Sequence, residues 1–137
     1  MAMADLIQDL VADHVALLDT LNRARQLGVT SAEGREILLQ LKGTLIAHLR
    51  KEDFFLYPVL KRAAAQDKRL QELMQSFVDD MAHISKTAIA FFDKYRGGGS
   101  DTEFAQEFGR LYATFMDRHE REEKLLYPEF RKIQERQ

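Results

Sequence analysis

Apolar residues recur at three- and four-residue intervals through nearly the whole chain, with only two prolines and seven glycines to interrupt them. That period is one face of an α-helix, not the alternation of a strand. From about Asp5 to Leu27 the stripe is Leu6, Leu10, His14, Leu17, Leu18 and Leu21, and Gly28 closes it. Thr30 with Glu33 reads as a capping box for a second helix carrying Leu38, Leu41, Leu45, His48, Glu52, Leu56 and Val59. Pro58 lacks a backbone donor and is expected to bend that helix near its end. A third helix, capped near Asp67, runs to about Tyr95 with Leu70, Leu73, Met74, Phe77, Met81, Ile84, Ala88, Phe91 and Tyr95 on one stripe. Gly97, Gly98 and Gly99 form a loop. Ser100 with Glu103 then opens a fourth helix with Phe104, Phe108, Leu111, Phe115, His119, Leu126 and Phe130 inward. Four amphipathic helices with short connections predict an all-α, antiparallel up-down four-helix bundle, as one domain over residues 1–137.

Composition narrows the chemistry. A 45% hydrophobic content suffices for one core. The 20 basic and 22 acidic residues leave a net charge of −2, with no electrostatic footprint for nucleic acid or an anionic membrane. The absence of cysteine excludes disulfides, thiol nucleophiles and thiolate-held metals, so any metal is held by nitrogen and oxygen. Met1 to Leu10 has no basic, apolar leader pattern and no later stretch has the length of a membrane span, so a cytoplasmic location is expected.

The inward stripes contain ionisable residues. At about 100° per residue, His14 falls near the centre of the first apolar arc, and His48 and Glu52 fall within the second. His119 lies within the fourth arc, with Glu122 and Glu123 flanking it. A glutamate is almost never buried without a partner. The i, i+4 spacing of His48 with Glu52, repeated in His119 with Glu123, sets an imidazole and a carboxylate one turn apart on one face, as bundles do to ligate metal in their cores. Taken singly, each residue has a plainer role open to it: His14 as a hydrogen-bonded core histidine, Glu52 in a salt bridge, His119 on the solvated face of the charged Asp117–Lys124 segment. As a set they point to a cation. His83 stands apart, because its phase lies more than 90° from its stripe and Ile84 takes the inward slot. A rotated helix or a local bulge would be needed to bring it in. Tyr57 and Tyr127 read as core or rim aromatics, and Met74, Met81 and Met116 as core filler.

The second and fourth helices echo each other. His48-Leu49-Arg50-Lys51-Glu52 followed by Phe55-Leu56-Tyr57-Pro58 parallels His119-Glu120-Arg121-Glu122-Glu123 followed by Leu125-Leu126-Tyr127-Pro128. Pro58 lies ten residues after its histidine and Pro128 nine after His119. A gap-free match counted from the prolines therefore pairs Glu52 with Glu122 and His48 with Arg118.

His14, His48-x-x-x-Glu52, His83 and His119-x-x-x-Glu123, in a chain of this size, resemble the hemerythrin-like family of HHE cation-binding domains, in particular bacterial members built from repeated His…His-x-x-x-Glu units. The resemblance covers about Asp5 to Phe130. It implies a non-haem di-iron centre, oxo- or hydroxo-bridged, in the bundle core, with His14, His48, His83 and His119 as terminal ligands and Glu52 and Glu123 as bridges; Glu122 is the alternative to Glu123. Oxygen-carrying hemerythrins have a second histidine four residues along the third helix and a His-x-x-x-x-Asp on the fourth. Here Thr87 and a glutamate stand instead, which argues against reversible oxygen transport.

Two divalent ions would exceed the charge of two glutamates, and open coordination positions favour an anion such as hydroxide, peroxide, superoxide or reduced nitric oxide. Nitrogen and carboxylate donors suit iron, and zinc or manganese are acceptable. The expected function is a metal protein that binds, senses or detoxifies oxygen, peroxide or nitric oxide, or donates iron. The alternative is a partly degenerate bundle working through its surface as an interaction or signalling module with little or no metal.

Overall fold

A computed structural model describes residues 5–136. Residues 1–4 and 137, which the single-domain expectation includes, lie outside the described residues. The described residues are all helical, with no strand, and form a four-helix bundle. Helix α1 is Leu6–Leu27. Helix α2 is built of Ala32–Lys51, a π-helical turn over Glu52–Leu56, and Tyr57–Ala64. Helix α3 is Lys68–Tyr95. Helix α4 repeats the construction of α2, with Asp101–Arg121, a π-helical turn over Glu122–Leu126, and Tyr127–Arg136.

The caps follow local chemistry. Asp67 and Ser100 accept from the amides of Leu70 and Glu103 at 3.1 and 3.3 Å, as their spacing predicts. At the start of α2 the cap is Ser31, which accepts from the Gly34 amide at 3.0 Å, and not Thr30. The Thr30 hydroxyl is drawn away because it donates to Asp101 Oδ2 at 3.1 Å, while the Val29 amide donates to Asp101 Oδ1 at 3.0 Å. Asp101 thus ties the α1–α2 turn to the beginning of α4. Gly28 ends α1 at φ +67°, a conformation that favours glycine.

The prolines account for more than a bend. A proline ring clashes with the carbonyl four residues before it, and the wide π turn relieves that crowding just ahead of Pro58 and Pro128. The Tyr57 amide reaches back to the Glu52 carbonyl and the Tyr127 amide to that of Glu122, each an i→i+5 bond. Both turns therefore begin on a glutamate.

Two apolar clusters fill the bundle. One gathers Leu17, Leu21, Leu41, Phe91, Tyr95, Phe104, Phe108 and their neighbours; the other gathers Ile7, Leu10, Leu56, Leu60, Phe77, Leu126 and Phe130. The inward histidines and the two turn-opening glutamates lie along the helices between these clusters. Met116, expected as core filler, is exposed at the surface. No helix among the described residues is long and apolar enough to cross a membrane.

Candidate metal centre

His14, His48, Glu52 and Glu122 are all buried, and each offers a donor atom within 4.8 Å of the others'. Glu52 and Glu122 are only 1% and 2% exposed. Each opens a π turn, so the in-phase repeat that pairs them is the one realised in space. Glu123, the carboxylate favoured by the His119 spacing, is 39% exposed at the rim and lies outside the four-donor group. It serves the group indirectly, since His14 Nδ1 donates to its Oε2 at 2.7 Å.

His48 is held in the same way. Its Nδ1 donates to Asp13 Oδ2 at 2.9 Å, and Lys51 Nζ holds the same oxygen at 2.9 Å. A carboxylate only accepts, so the Nδ1 proton is fixed on His48 and its Nε2 faces the centre; His14 meets a carboxylate at each ring nitrogen, Glu123 behind at Nδ1 and Glu122 at the Nε2 that faces the centre. Carboxylates orienting ligand histidines in this manner raise their basicity and fix their tautomer. His14 Nε2 lies 3.0 Å from Glu122 Oε1, and His48 Nε2 lies 3.6 Å from Glu52 Oε2, buried and without a hydrogen-bond partner.

Asp13 is a functional candidate that the apolar stripe concealed, because it sits one residue off the inward face. The signal for it was the His14 neighbourhood combined with the unpaired Nδ1 that any ligand histidine on α2 must satisfy. Asp13→Ala is expected to weaken divalent-metal affinity about 10–100-fold with the fold retained, checked by competing zinc against a chromophoric chelator.

Tyr127 also enters the group, beyond the core or rim role expected of it. Its hydroxyl donates to Glu52 Oε2 at 2.8 Å and lies 3.2 Å from His14 Nε2 and 3.3 Å from Glu122 Oε1. Burial and the two carboxylates push its phenol well above the ordinary tyrosine range, which keeps it a neutral donor in the cation-free chain.

Of the remaining predicted ligands, His119 is buried beside the group, its ring stacked on His14 at 3.8 Å between centroids and 3° between planes. Burial and the neighbouring His14 and His48 lower its pKa to about 3, so it is a neutral ring. His83 is not brought in. Helix α3 stays regular through this region, Ile84 occupies the inward slot, and the His83 side chain is exposed.

The position that the in-phase repeat pairs with His48 is filled by Arg118, only 3% exposed. Its Nη1 donates to the Phe77 carbonyl at 2.9 Å and to Asp80 Oδ2 at 3.2 Å, and its Nη2 to the Tyr57 hydroxyl at 3.3 Å. The Nε lies 3.3 Å from Glu122 Oε2, an ion-pair distance without hydrogen-bond alignment. The guanidinium also sits over the Phe77 ring, 4.7 Å from its centroid.

Without a cation the two buried carboxylates behave differently. Burial works against ionisation of Glu52, but His48 and the Tyr127 hydroxyl outweigh it and hold that carboxyl below its ordinary range. Burial pushes Glu122 up, and the Glu52 charge adds to the push. Burial disfavours a charged His48, yet Glu52 and Asp13 together hold its pKa above the ordinary value. Two imidazole nitrogens and two carboxylates are a donor set that suits a divalent first-row cation, and the unpartnered His48 Nε2 is an atom such an ion would satisfy.

A groove of about 1100 Å³ runs between α2 and α3, lined by Tyr57, Pro58, Met74, Val78 and Met81 among others. It reaches the outer side of Tyr57, whose hydroxyl accepts from Arg118.

Residues 5–130 match the family model of the hemerythrin HHE cation binding domain. No curated protein and no solved structure matches the chain significantly.

Proposed function

The chain belongs to the hemerythrin HHE cation-binding domain family, and from that premise we propose that it holds iron in the bundle core and binds, senses or removes oxygen, peroxide or nitric oxide. The observation that carries this reading is the buried His14, His48, Glu52 and Glu122 group with both imidazoles oriented from behind by carboxylates. Iron in such a site supplies a redox-active centre with positions open to a small ligand. The protein's own part is to supply the donors, to fix Nε2 of each histidine inward, and to exclude bulk water with the apolar clusters on either side. Tyr127, already donating to Glu52, is placed to offer its proton to a small anion at the same point.

A ligand bound only by the native state must stabilise it. Iron(II) added anaerobically to chelator-treated protein is expected to raise unfolding stability by about 2.7 kcal/mol at a hundredfold excess over Kd. That gain is expected to vanish in the His48→Ala, Glu52→Ala double variant, and the loaded protein's absorption is expected to change on exposure to nitric oxide. An unchanged melting curve for the native sequence would remove the metal reading. The exposed His83 and the buried Arg118 favour a second reading, a bundle that works through its surface. It predicts no effect of iron in any variant.

A further inference from the structure

We propose that this centre takes one divalent cation and that the Arg118 guanidinium stands where a second would sit. The inference rests on the metal reading above and concerns the number of ions.

The Glu122 carboxylate faces two ways. Its Oε1 points to the donor group, 3.0 Å from His14 Nε2, and its Oε2 lies 3.3 Å from Arg118 Nε. A carboxylate bridging two metals gives one oxygen to each. Here the oxygen that would go to the second ion already has a positive charge beside it.

The internal repeat places the same exchange in the backbone. Glu52 and Glu122 each open a π turn, followed by Leu56, Tyr57 and Pro58 in one case and Leu126, Tyr127 and Pro128 in the other. Four residues before each glutamate stands His48 on α2 and Arg118 on α4, both 3% exposed. The α4 equivalent of a ligand imidazole is thus a fixed cation with no lone pair to donate.

The other donors do not make up the loss. Metals of a two-ion site lie about 3.5–4 Å apart and need terminal ligands at both ends. The donors His14, His48, Glu52 and Glu122 form one group within 4.8 Å, while His119, buried and stacked on His14, stands outside that group, His83 is exposed on α3, and Glu123 is engaged with His14 Nδ1. Charge agrees with this. One divalent ion balances Glu52 and Glu122, and Arg118 and Arg121 are balanced by Asp80, at 3.2 and 2.6 Å, together with Asp117, at 2.9 Å from Arg121. A second divalent ion would add two charges beside a guanidinium in a buried site, where uncompensated charge is costly.

The test is a count. Chelator-treated protein is titrated with zinc(II) and the tightly held ions per chain are read by native mass spectrometry in the presence of a competing weak chelator. One ion per chain is expected. Two would overturn the proposal and leave the metal reading standing; none would overturn both. Arg118→His, which restores the imidazole demanded by the repeat, is expected to raise the count to two. A folded Arg118→His protein that still holds one ion would overturn the role given to Arg118, and the native count decides the stoichiometry whether or not that variant folds.

Discussion

Arg118→Ala is expected to lower the stability of the metal-free protein by about 3–5 kcal/mol, the range for removing one partner of a buried ion pair. Urea unfolding in the presence of chelator measures it. Four groups lose a partner at once: the Phe77 carbonyl, the Tyr57 hydroxyl and the carboxylates of Asp80 and Glu122. The void over the Phe77 ring adds to the loss. Arg118→Met separates these contributions, because it restores much of the packing on Phe77 while leaving Glu122 facing no charge. It is expected to recover part of the loss but not all of it. Full recovery would show that the guanidinium contributes only volume, and that the two-sided Glu122 carboxylate does not need it.

Phe108→Ala is expected to cost about as much, ~3–5 kcal/mol, by a different route. Phe108 is fully buried and packs against Phe104 and Phe91 at centroid distances of 5.3 and 6.1 Å, with Tyr112 at 6.5 Å on its outer side. A hole there is bounded by α3 and α4, whose paired aromatics cannot all shift to close it. Phe108 lies three turns before His119, roughly 16 Å along the helix axis at 1.5 Å per residue. Metal stoichiometry should therefore be unchanged while the denaturation midpoint falls. A matching loss of metal would mean that the aromatic end of the bundle and the polar layer do not act independently. The two variants together distinguish a framework that positions the centre from the centre itself.

The periodicity of the apolar residues made the helices and most of their inward faces legible, and the caps at Asp67 and Ser100 lay where their side chains demand. His14, His48 and Glu52 were legible too, because each sits well inside an apolar arc where a polar group needs a reason to be. The fourth helix was harder to read. By regular phase Glu122 and Glu123 flank the arc nearly equally, and Arg118 sits in a segment dense with charge. What separates them is contact: Glu122 faces His14 and Glu52 across the core, with Arg118 one turn back on its own helix, whereas Glu123 reaches His14 from the rim. The partial repeat carried the answer in the spacing from its prolines, which selects Glu122 and Arg118 over Glu123 and His119.

What the sequence determined by itself is therefore the set of helices, the apolar layers and the presence of imidazole and carboxylate between them, since all of these follow from residue type and a period of 3.6. Only the tertiary structure decided which nitrogen each histidine turns inward, that Asp13 and Glu123 stand behind the rings, that Tyr127 joins the group, and that His83 does not. Those choices depend on how close side chains from different helices come to one another. A helical period sets the direction in which a residue leaves its own axis, and the partner waiting there is supplied by another helix.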